Sequence, residues 1–244
     1  MTSLAARYEA GEWTEVWAEL RRLGPLPTSR RAEVEEVAHS TMRRARTHID
    51  HIVEGLIGIG FEPASSDLPV IAPPPSDVFD RIGKLEDSLG RIPEALKASM
   101  CEIGGVCLLG DCPPLALYYH GGPSSRIATM PPGADYPDPL CLPAVDSLEM
   151  ELDERLKDSE ELLAEPFTFA PDELHKANVS GGTHDVWLPD AHADPVLVGV
   201  AGRPGITLVE YLRLSVRWGG LPGYSFAPAG RPKDLERLMS HPQF

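Results

Sequence analysis

The residues best able to do chemistry are concentrated in one segment, residues 167–194. It gathers carboxylates, imidazoles, a lysine, an amide and a hydroxyl at a density that core packing does not require. Side chains of these types bind anions, coordinate metals or transfer protons when the fold brings them together. The candidate binding residues are Asp172, His175, Lys176, Asn178, Ser180, Gly181, Gly182, Asp190 and Asp194.

Two binding chemistries are open to this segment. Residues 180–183 have the composition of a turn whose backbone amides bind an anion, and Lys176 would add positive charge. Residue types that coordinate metals also occur, at His184, Asp190, His192 and Asp194. Neither the spacing of a phosphate-binding loop nor that of a known metal site accompanies them. Both interpretations therefore depend on geometry that only the fold can supply.

A catalytic and a structural interpretation compete for the same residues. Ser180 with His175 and Asp172 has the residue types of a nucleophilic triad, but the serine lacks the glycine-flanked elbow that exposes such a nucleophile. Gly181 and Gly182 stand before an alternating run and suit a hairpin or bulge turn, because a positive φ is available at both glycines. The sequence favours a structural loop over a binding surface, and a binding surface over a catalytic centre.

The overall charge limits the classes of partner. The chain of 244 residues has 37 acidic and 22 basic side chains, a net charge of −15. Such a surface repels nucleic-acid phosphates and anionic lipids. No apolar stretch approaches the roughly 18 residues of a membrane span, and the first residues do not resemble a signal peptide. We therefore expect a cytoplasmic protein that binds neither nucleic acid nor membrane.

Negative charge is densest in residues 146–165, which are predicted to form a helix. This stretch has nine acids against Arg155 and Lys157, and its leucines form only a narrow apolar stripe. Most of the helix is therefore expected to face water, either as a solvated face or as a contact surface for a basic protein. The acids of this predicted contact surface are Glu149, Glu151, Asp153, Glu154, Asp158, Glu160 and Glu161.

The cysteines and the remaining histidines predict no metal or cofactor. The four cysteines, at positions 101, 107, 112 and 141, have neither zinc-site nor CxxC spacing, so we expect ordinary core thiols. His48 and His51 share one face of a predicted helix, but a third ligand is missing at a suitable spacing. They are expected to be a polar flank of that helix.

Proline and charge divide the chain into two compositional regions. Of the 25 prolines, 23 follow residue 60, while the first 60 residues are nearly neutral and show helical periodicity. We expect a helical N-terminal arm at residues 1–62, a Pro-rich linker at 63–76 and an α+β domain at 77–244. The arm is predicted to be a helical hairpin, with a second helix that runs to Gly60 and has an apolar stripe from Val34 to Ile59. Beyond residue 110 the prolines limit strand length, and the expected elements are strands at 115–119, 127–130, 139–145 and 196–200 and helices at 207–218 and 233–239.

The predicted α+β region begins with a short series of helix-end and helix-start signals. A helical pattern ends at Gly90, and Pro93 then stands at the first turn of a second helix. Gly104 and Gly105 end that helix before a short apolar run at residues 106–109. The predicted order is helix, tight turn, helix, Gly-Gly, strand.

This run resembles the opening of the SUKH superfamily over residues 79–110. In that superfamily an apolar residue and a Glu precede Leu-Gly, followed by Leu-Pro and an Asn-Gly-Gly or similar ending. Here Ile92 replaces the usual Leu, and Ile103 stands where Asn is common. The matching residues are Ile82, Leu85, Glu86, Leu89, Gly90, Ile92, Pro93, Leu96, Ile103, Gly104 and Gly105.

The resemblance implies a fold and a class of function. The fold would be a mixed or antiparallel sheet flanked by helices, used for protein recognition and without a shared catalytic set. Many bacterial members of the superfamily are immunity proteins that neutralise toxins. The chain would then be a non-enzymatic interaction protein whose partner is a basic toxin domain. The alternative is a protein that binds a small ligand, metal or anion, or an enzyme, through residues 172–194.

Overall fold

The computed structural model describes residues 2–120, 136–158, 164–226 and 228–244, with the side chain of Asp158 excluded. The helices are α1 (Leu4–Glu9), α2 (Trp13–Arg22), α3 (Arg31–Gly58), α4 (Val78–Leu89), α5 (Glu94–Glu102), α6 (Val145–Asp158) and α7 (Leu208–Arg217). The strands are β1 (Glu62–Pro63), β2 (Ile71–Ala72), β3 (Gly105–Cys107), β4 (Gly110–Cys112), β5 (Leu117–Tyr118), β6 (Cys141–Leu142), β7 (Phe167–Pro171), β8 (Thr183–Val186) and β9 (Leu197–Val198).

The predicted α+β class is confirmed. Within the described residues, the strands form three small antiparallel sheets, ordered β1-β4-β5, β2-β3-β6 and β7-β8-β9. The strands are two to five residues long. Prolines account for this shortness, because each one removes a hydrogen-bond donor from a ladder.

The N-terminal helical hairpin is also confirmed. Helices α1 and α2 fold back on each other and pack against α3. The indole of Trp17 is fully buried and donates a 3.0 Å hydrogen bond to the hydroxyl of Thr41 on α3. The predicted apolar stripe of α3 is buried from Val34 to Leu56 except at Val53, which is half-buried, and Gly60 follows the helix with a φ of 87°.

Ion pairs fasten α3 to the residues that follow it. Arg31 bonds the carboxylates of Glu86 on α4 and Glu94 on α5, and the Nε of Arg31 lies 3.0 Å from Glu94. Helix α3 also packs along α5 and α7, so its buried residues belong to one core with theirs. Residues 63–76, expected to be a linker, include β2 and the end of β1. The boundary between arm and domain stays a prediction.

The order predicted for residues 79–110 is confirmed as α4, a tight turn, α5 and β3. The other expected elements are shorter than predicted. Residues 115–119, 139–145 and 196–200 yield only β5, β6 and β9, and residues 233–239 yield a 3-10 helix at Lys233–Arg237. The strand predicted at residues 127–130 lies outside the described residues.

Candidate functional site

Asp172, the first of the candidate binding residues, holds together the connection between β7 and β8. Its Oδ1 accepts the amide of His175 at 2.8 Å, and its Oδ2 accepts the amide of Gly182. Burial opposes the charged form, but these two amides lower the pKa of Asp172. The imidazole Nδ1 of His175 lies 2.6 Å from the Gly182 carbonyl oxygen. These contacts close a loop by bonds within it.

The predicted backbone of this turn is wrong. A positive φ occurs at Asn178, at 57°, and not at Gly181 or Gly182. The side chain of Asn178 donates a 3.0 Å hydrogen bond to the Tyr119 carbonyl oxygen. Gly181 is required for a different reason, since a Cβ there would overlap the Asp172 carboxylate. The glycine therefore permits close approach of the chain to the carboxylate that closes the loop.

Ser180, proposed above as a nucleophile, is exposed on the rim of an open hollow of about 430 Å³. His175 and Asn178 line the same hollow. Within residues 164–226, Ser180 makes no hydrogen bond to His175, whose Nδ1 faces the Gly182 carbonyl oxygen. The structure therefore brings the residue types of a triad into one loop without the contact between base and nucleophile that a triad needs.

Lys176 points into the core instead of toward solvent. Its Nζ lies 2.5 Å from Oδ1 of Asp138 and donates a second hydrogen bond to the Tyr211 hydroxyl at 3.2 Å. That hydroxyl donates to Oδ2 of Asp138 at 3.3 Å, and Nε2 of His184 lies 3.4 Å from Oδ1. All four side chains are buried. We call this set the buried polar cluster.

Charge is retained inside the buried polar cluster. Burial opposes the ammonium form of Lys176, yet the neighbouring Tyr211 and Asp138 raise its pKa above the ordinary value. Burial likewise opposes the carboxylate of Asp138, but the Lys176 cation and the His184 hydrogen bond lower the pKa of that carboxyl. The Lys176–Asp138 pair is therefore ionised. It joins the segment that follows β7 to the segment that precedes β6, so its role is structural.

Asp190 and Asp194 lie elsewhere. Asp190 accepts the amide of His192 at 3.0 Å and forms a turn. Asp194 is buried, and its Oδ1 accepts the amide of Val209 at 3.1 Å in the first turn of α7. Burial raises the pKa of Asp194 to about 7. The candidate binding residues therefore occupy separate places, and no group of three or more His, Cys, Asp or Glu side chains in the described residues could hold a metal ion.

The predicted acidic surface on α6 divides into paired and unpaired acids. Glu149 bonds Arg81 of α4, with Nε and Oε1 3.0 Å apart. Glu151 accepts the amide of Thr168 on β7 at 3.1 Å and also pairs with Arg155. Asp153 and Glu154 are exposed and have no ion-pair partner among the described side chains. The side chain of Asp158, and Glu160 and Glu161 entirely, lie outside the described residues.

An open groove of about 580 Å³ lies beside these acids. Helix α6 forms one wall, β3 and β6 form the floor, and β7 forms the other wall. Most of its lining is apolar. The charged residues on the α6 side are Glu154 and the ion-paired Glu151 and Arg155. Met150 on the same helix is 63% exposed. We call this feature the α6–β7 groove, and the sequence did not predict it because its walls come from segments far apart in the chain.

The floor of the groove contains two thiols that the sequence spacing could not pair. Cys107 on β3 and Cys141 on β6 stand opposite each other in the antiparallel register. Cys107 is exposed in the groove, so the prediction of a core thiol is wrong for this residue, whereas Cys141 is buried. Their separation of 34 positions hides this proximity in the sequence.

Comparisons with protein-family models, curated proteins and solved structures gave no match to this chain. The SUKH resemblance and the function it implies therefore stay predictions. Across the described ranges, no helix combines the length and the apolar character of a membrane span.

Proposed function

We propose that this chain is a non-enzymatic protein-interaction domain whose α6–β7 groove receives an extended segment of a partner protein. The segment would carry Lys or Arg next to apolar residues. The observation that carries this proposal is an apolar groove with an acid on its rim, Glu154, that has no ion-pair partner among the described side chains. Apolar surface that remains in contact with water favours occupation.

Charge supports a basic partner. Glu149 and Glu151 are held by bonds within the chain, so Asp153 and Glu154 are the described members of the acidic surface that remain for a partner. The net charge of −15 would steer a basic protein toward this surface over longer distances. Binding should therefore weaken as salt concentration rises.

The SUKH resemblance narrows the partner to a basic toxin domain, which the chain would neutralise by occluding it. The four cysteines are free thiols. This supports a cytoplasmic location, because that compartment keeps thiols reduced. The alternative function, a ligand site or enzyme at residues 172–194, has weaker support, since Asp172 and His175 bond to the loop itself and Lys176 is buried.

Selection from a random peptide library displayed on phage tests the proposal with a defined probe. Peptides are selected on the full chain and then compared on Glu154→Lys and on Glu36→Lys. Glu36 is an exposed helical glutamate outside the groove, so the second variant makes the same charge change elsewhere. We expect enriched peptides to place Lys or Arg beside apolar residues, to lose at least about tenfold in affinity on Glu154→Lys and to keep it on Glu36→Lys, because a single close charge reversal commonly costs a kilocalorie or more.

Two outcomes would overturn the proposal. One is the absence of any enriched peptide after selection on the unmodified chain. The other is enrichment of peptides that bind Glu154→Lys as tightly as the unmodified chain, which would place their site away from the groove.

A further inference from the structure

The register of β3 and β6 places two cysteine side chains on one face of a sheet. Because the Cys107 amide bonds Val70, just before β2, and the Leu108 amide bonds Leu140 across the sheet, Cys107 and Cys141 form a non-hydrogen-bonded pair. The Cα atoms of such a pair lie about 4.5 Å apart, and their side chains are closer than those of neighbouring pairs. Disulfides form at Cα separations of about 4.4–6.8 Å. The backbone thus already holds these two thiols at bonding range.

The two thiols differ in their exposure to solvent. Cys107 is exposed in the α6–β7 groove, where a small molecule can reach its sulfur. Cys141 is only 6% exposed and lies behind it. The other two cysteines lack this arrangement, since Cys101 is half-buried on α5 and Cys112 is buried on β4. Reagents should therefore meet Cys107 first.

The surroundings of Cys107 favour its thiolate. A hydrogen bond from the Cys141 thiol lowers the pKa of Cys107 to about 6, against the effect of burial, and the Leu109 amide and the buried Lys176 cation act in the same direction. The same hydrogen bond and burial raise the pKa of Cys141. Burial raises the pKa of Cys101 to about 11. One member of the pair is thus ionised near neutral pH while its partner keeps its proton.

We propose that Cys107 and Cys141 are a redox modification site, oxidised to an intramolecular disulfide by a low-molecular-weight disulfide of the glutathione class. Cys107 is the attacking thiolate and Cys141 is the resolving thiol. The inference rests on the register and exposure of the two cysteines and is independent of the function proposed for the groove.

The chemistry balances in two exchange steps. The Cys107 thiolate attacks one sulfur of the small disulfide, forms a mixed disulfide and releases one small thiolate, which takes up a proton from solvent. Cys141 then loses its proton to solvent, and its sulfur attacks Sγ of Cys107 and displaces the second small thiolate, which takes up a proton in turn. Two protein thiols lose two electrons in total, and the small disulfide is reduced to two small thiols.

The test treats the full chain with glutathione disulfide, quenches it with acid, alkylates the remaining thiols under denaturing conditions and maps peptides by mass spectrometry. Trypsin leaves Cys101, Cys107 and Cys112 on one peptide, but cleavage after Glu102 and before Asp111 separates them. We expect Cys107 and Cys141 to lose alkylation together and to appear as one cross-linked peptide. Cys101 and Cys112 should remain alkylated.

Three variants separate the roles of the thiols. Cys141→Ser should stop the reaction at a mixed disulfide between glutathione and Cys107. Cys107→Ser should leave Cys141 reduced, because the buried thiol lacks access. Cys112→Ser is the matched control for replacing a buried thiol, and it should cross-link Cys107 to Cys141 as the unmodified chain does.

Three results would overturn the proposal. The first is a stable mixed disulfide on Cys107 of the unmodified chain without a cross-link to Cys141. The second is a cross-link that joins Cys107 to another cysteine. The third is oxidation of Cys141 in Cys107→Ser at the rate seen in the unmodified chain.

Discussion

Lys176 shows how a residue chosen for chemistry can have a structural role. Its ammonium is fully buried and bonds Asp138 and Tyr211. We predict that Lys176→Met lowers the free energy of unfolding by about 3–5 kcal/mol, because it leaves the Asp138 carboxylate buried without a cation. Adding Asp138→Asn should restore part of this loss. Urea unfolding of the two single variants and the double variant measures both effects.

Lys157→Met is the control for that series, because Lys157 is an exposed lysine on α6. Its effect should stay within about 0.5 kcal/mol, as for most surface substitutions. An equally small effect of Lys176→Met would show that the buried polar cluster does not hold the loop in place.

Asp194 makes the stability of the fold depend on pH. Burial raises its pKa from 3.8 to about 7 in the folded chain. The folded state therefore holds the proton more tightly, so this residue's contribution is fully favourable below pH 3.8 and is lost as pH rises through 7. We predict that, from pH 5 to pH 8, the free energy of unfolding of Asp194→Asn rises by about 2–3 kcal/mol relative to that of the unmodified chain.

Urea unfolding of both proteins at pH 5, 6, 7 and 8 measures this difference, and the shared background of other titrating groups cancels in the comparison. If the difference in free energy of unfolding between the two proteins does not change with pH, Asp194 is ionised in the fold. A difference that shifts in favour of the unmodified chain as pH rises would contradict a raised pKa.

At the residue scale the sequence identified the polar segment but not the direction of its side chains. Lys176 stands 38 positions from Asp138 and 35 from Tyr211, so no local pattern shows the buried contacts. Cys107 and Cys141 are likewise brought together only by strand register. Polar residue types can be read from a sequence, whereas their burial depends on partners that are distant in the chain.

At the scale of elements, α6 separates structural acids from available ones. Glu149 and Arg81 join α6 to α4, whereas Glu154 is exposed beside the groove. We predict that Glu149→Lys lowers the free energy of unfolding by about 1 kcal/mol or more, since it removes a bond to Arg81 and places two cations together. Glu154→Lys should change it by less than about 0.5 kcal/mol. Thermal or urea unfolding of both variants gives the comparison.

The comparison of these two variants is also a control for the binding experiment. A Glu154→Lys variant that is as destabilised as Glu149→Lys would contradict the assignment of Glu154 as an unpaired rim residue. Loss of peptide binding by that variant would then reflect damage to α6 and not loss of a contact.

The helices were the best predicted elements. Helical periodicity and end signals such as Gly90 are local. The reciprocal bond by which Thr207 and Glu210 cap α7 was not predicted and is seen in the structure. Strands were overestimated in length, because pairing depends on distant partners and prolines limit each ladder. The turn before β8 was predicted with the wrong backbone, since close approach of Asp172, and not a positive φ, explains Gly181.

At the scale of the whole molecule, the composition changes near residue 60, whereas the packing of buried residues is continuous across that position. Charge and proline content change near residue 60, yet the buried residues of α3 join those of α5 and α7 in one core. Composition reports solvent exposure and chain stiffness along the sequence, whereas packing joins residues that are far apart. The α6–β7 groove is a product of that packing, so only the assembled fold shows it.

The central claim is that an extended basic segment occupies the α6–β7 groove. Amide hydrogen exchange of the ¹⁵N-labelled chain, with and without a peptide from the display selection, tests this most directly. The account predicts that exchange slows at residues 106–109 and at residues 150–154 of α6, which line the groove or lie beside it, with no change around Ser180. Slower exchange around Ser180 and unchanged exchange along the groove would contradict the account and would favour a site within residues 172–194.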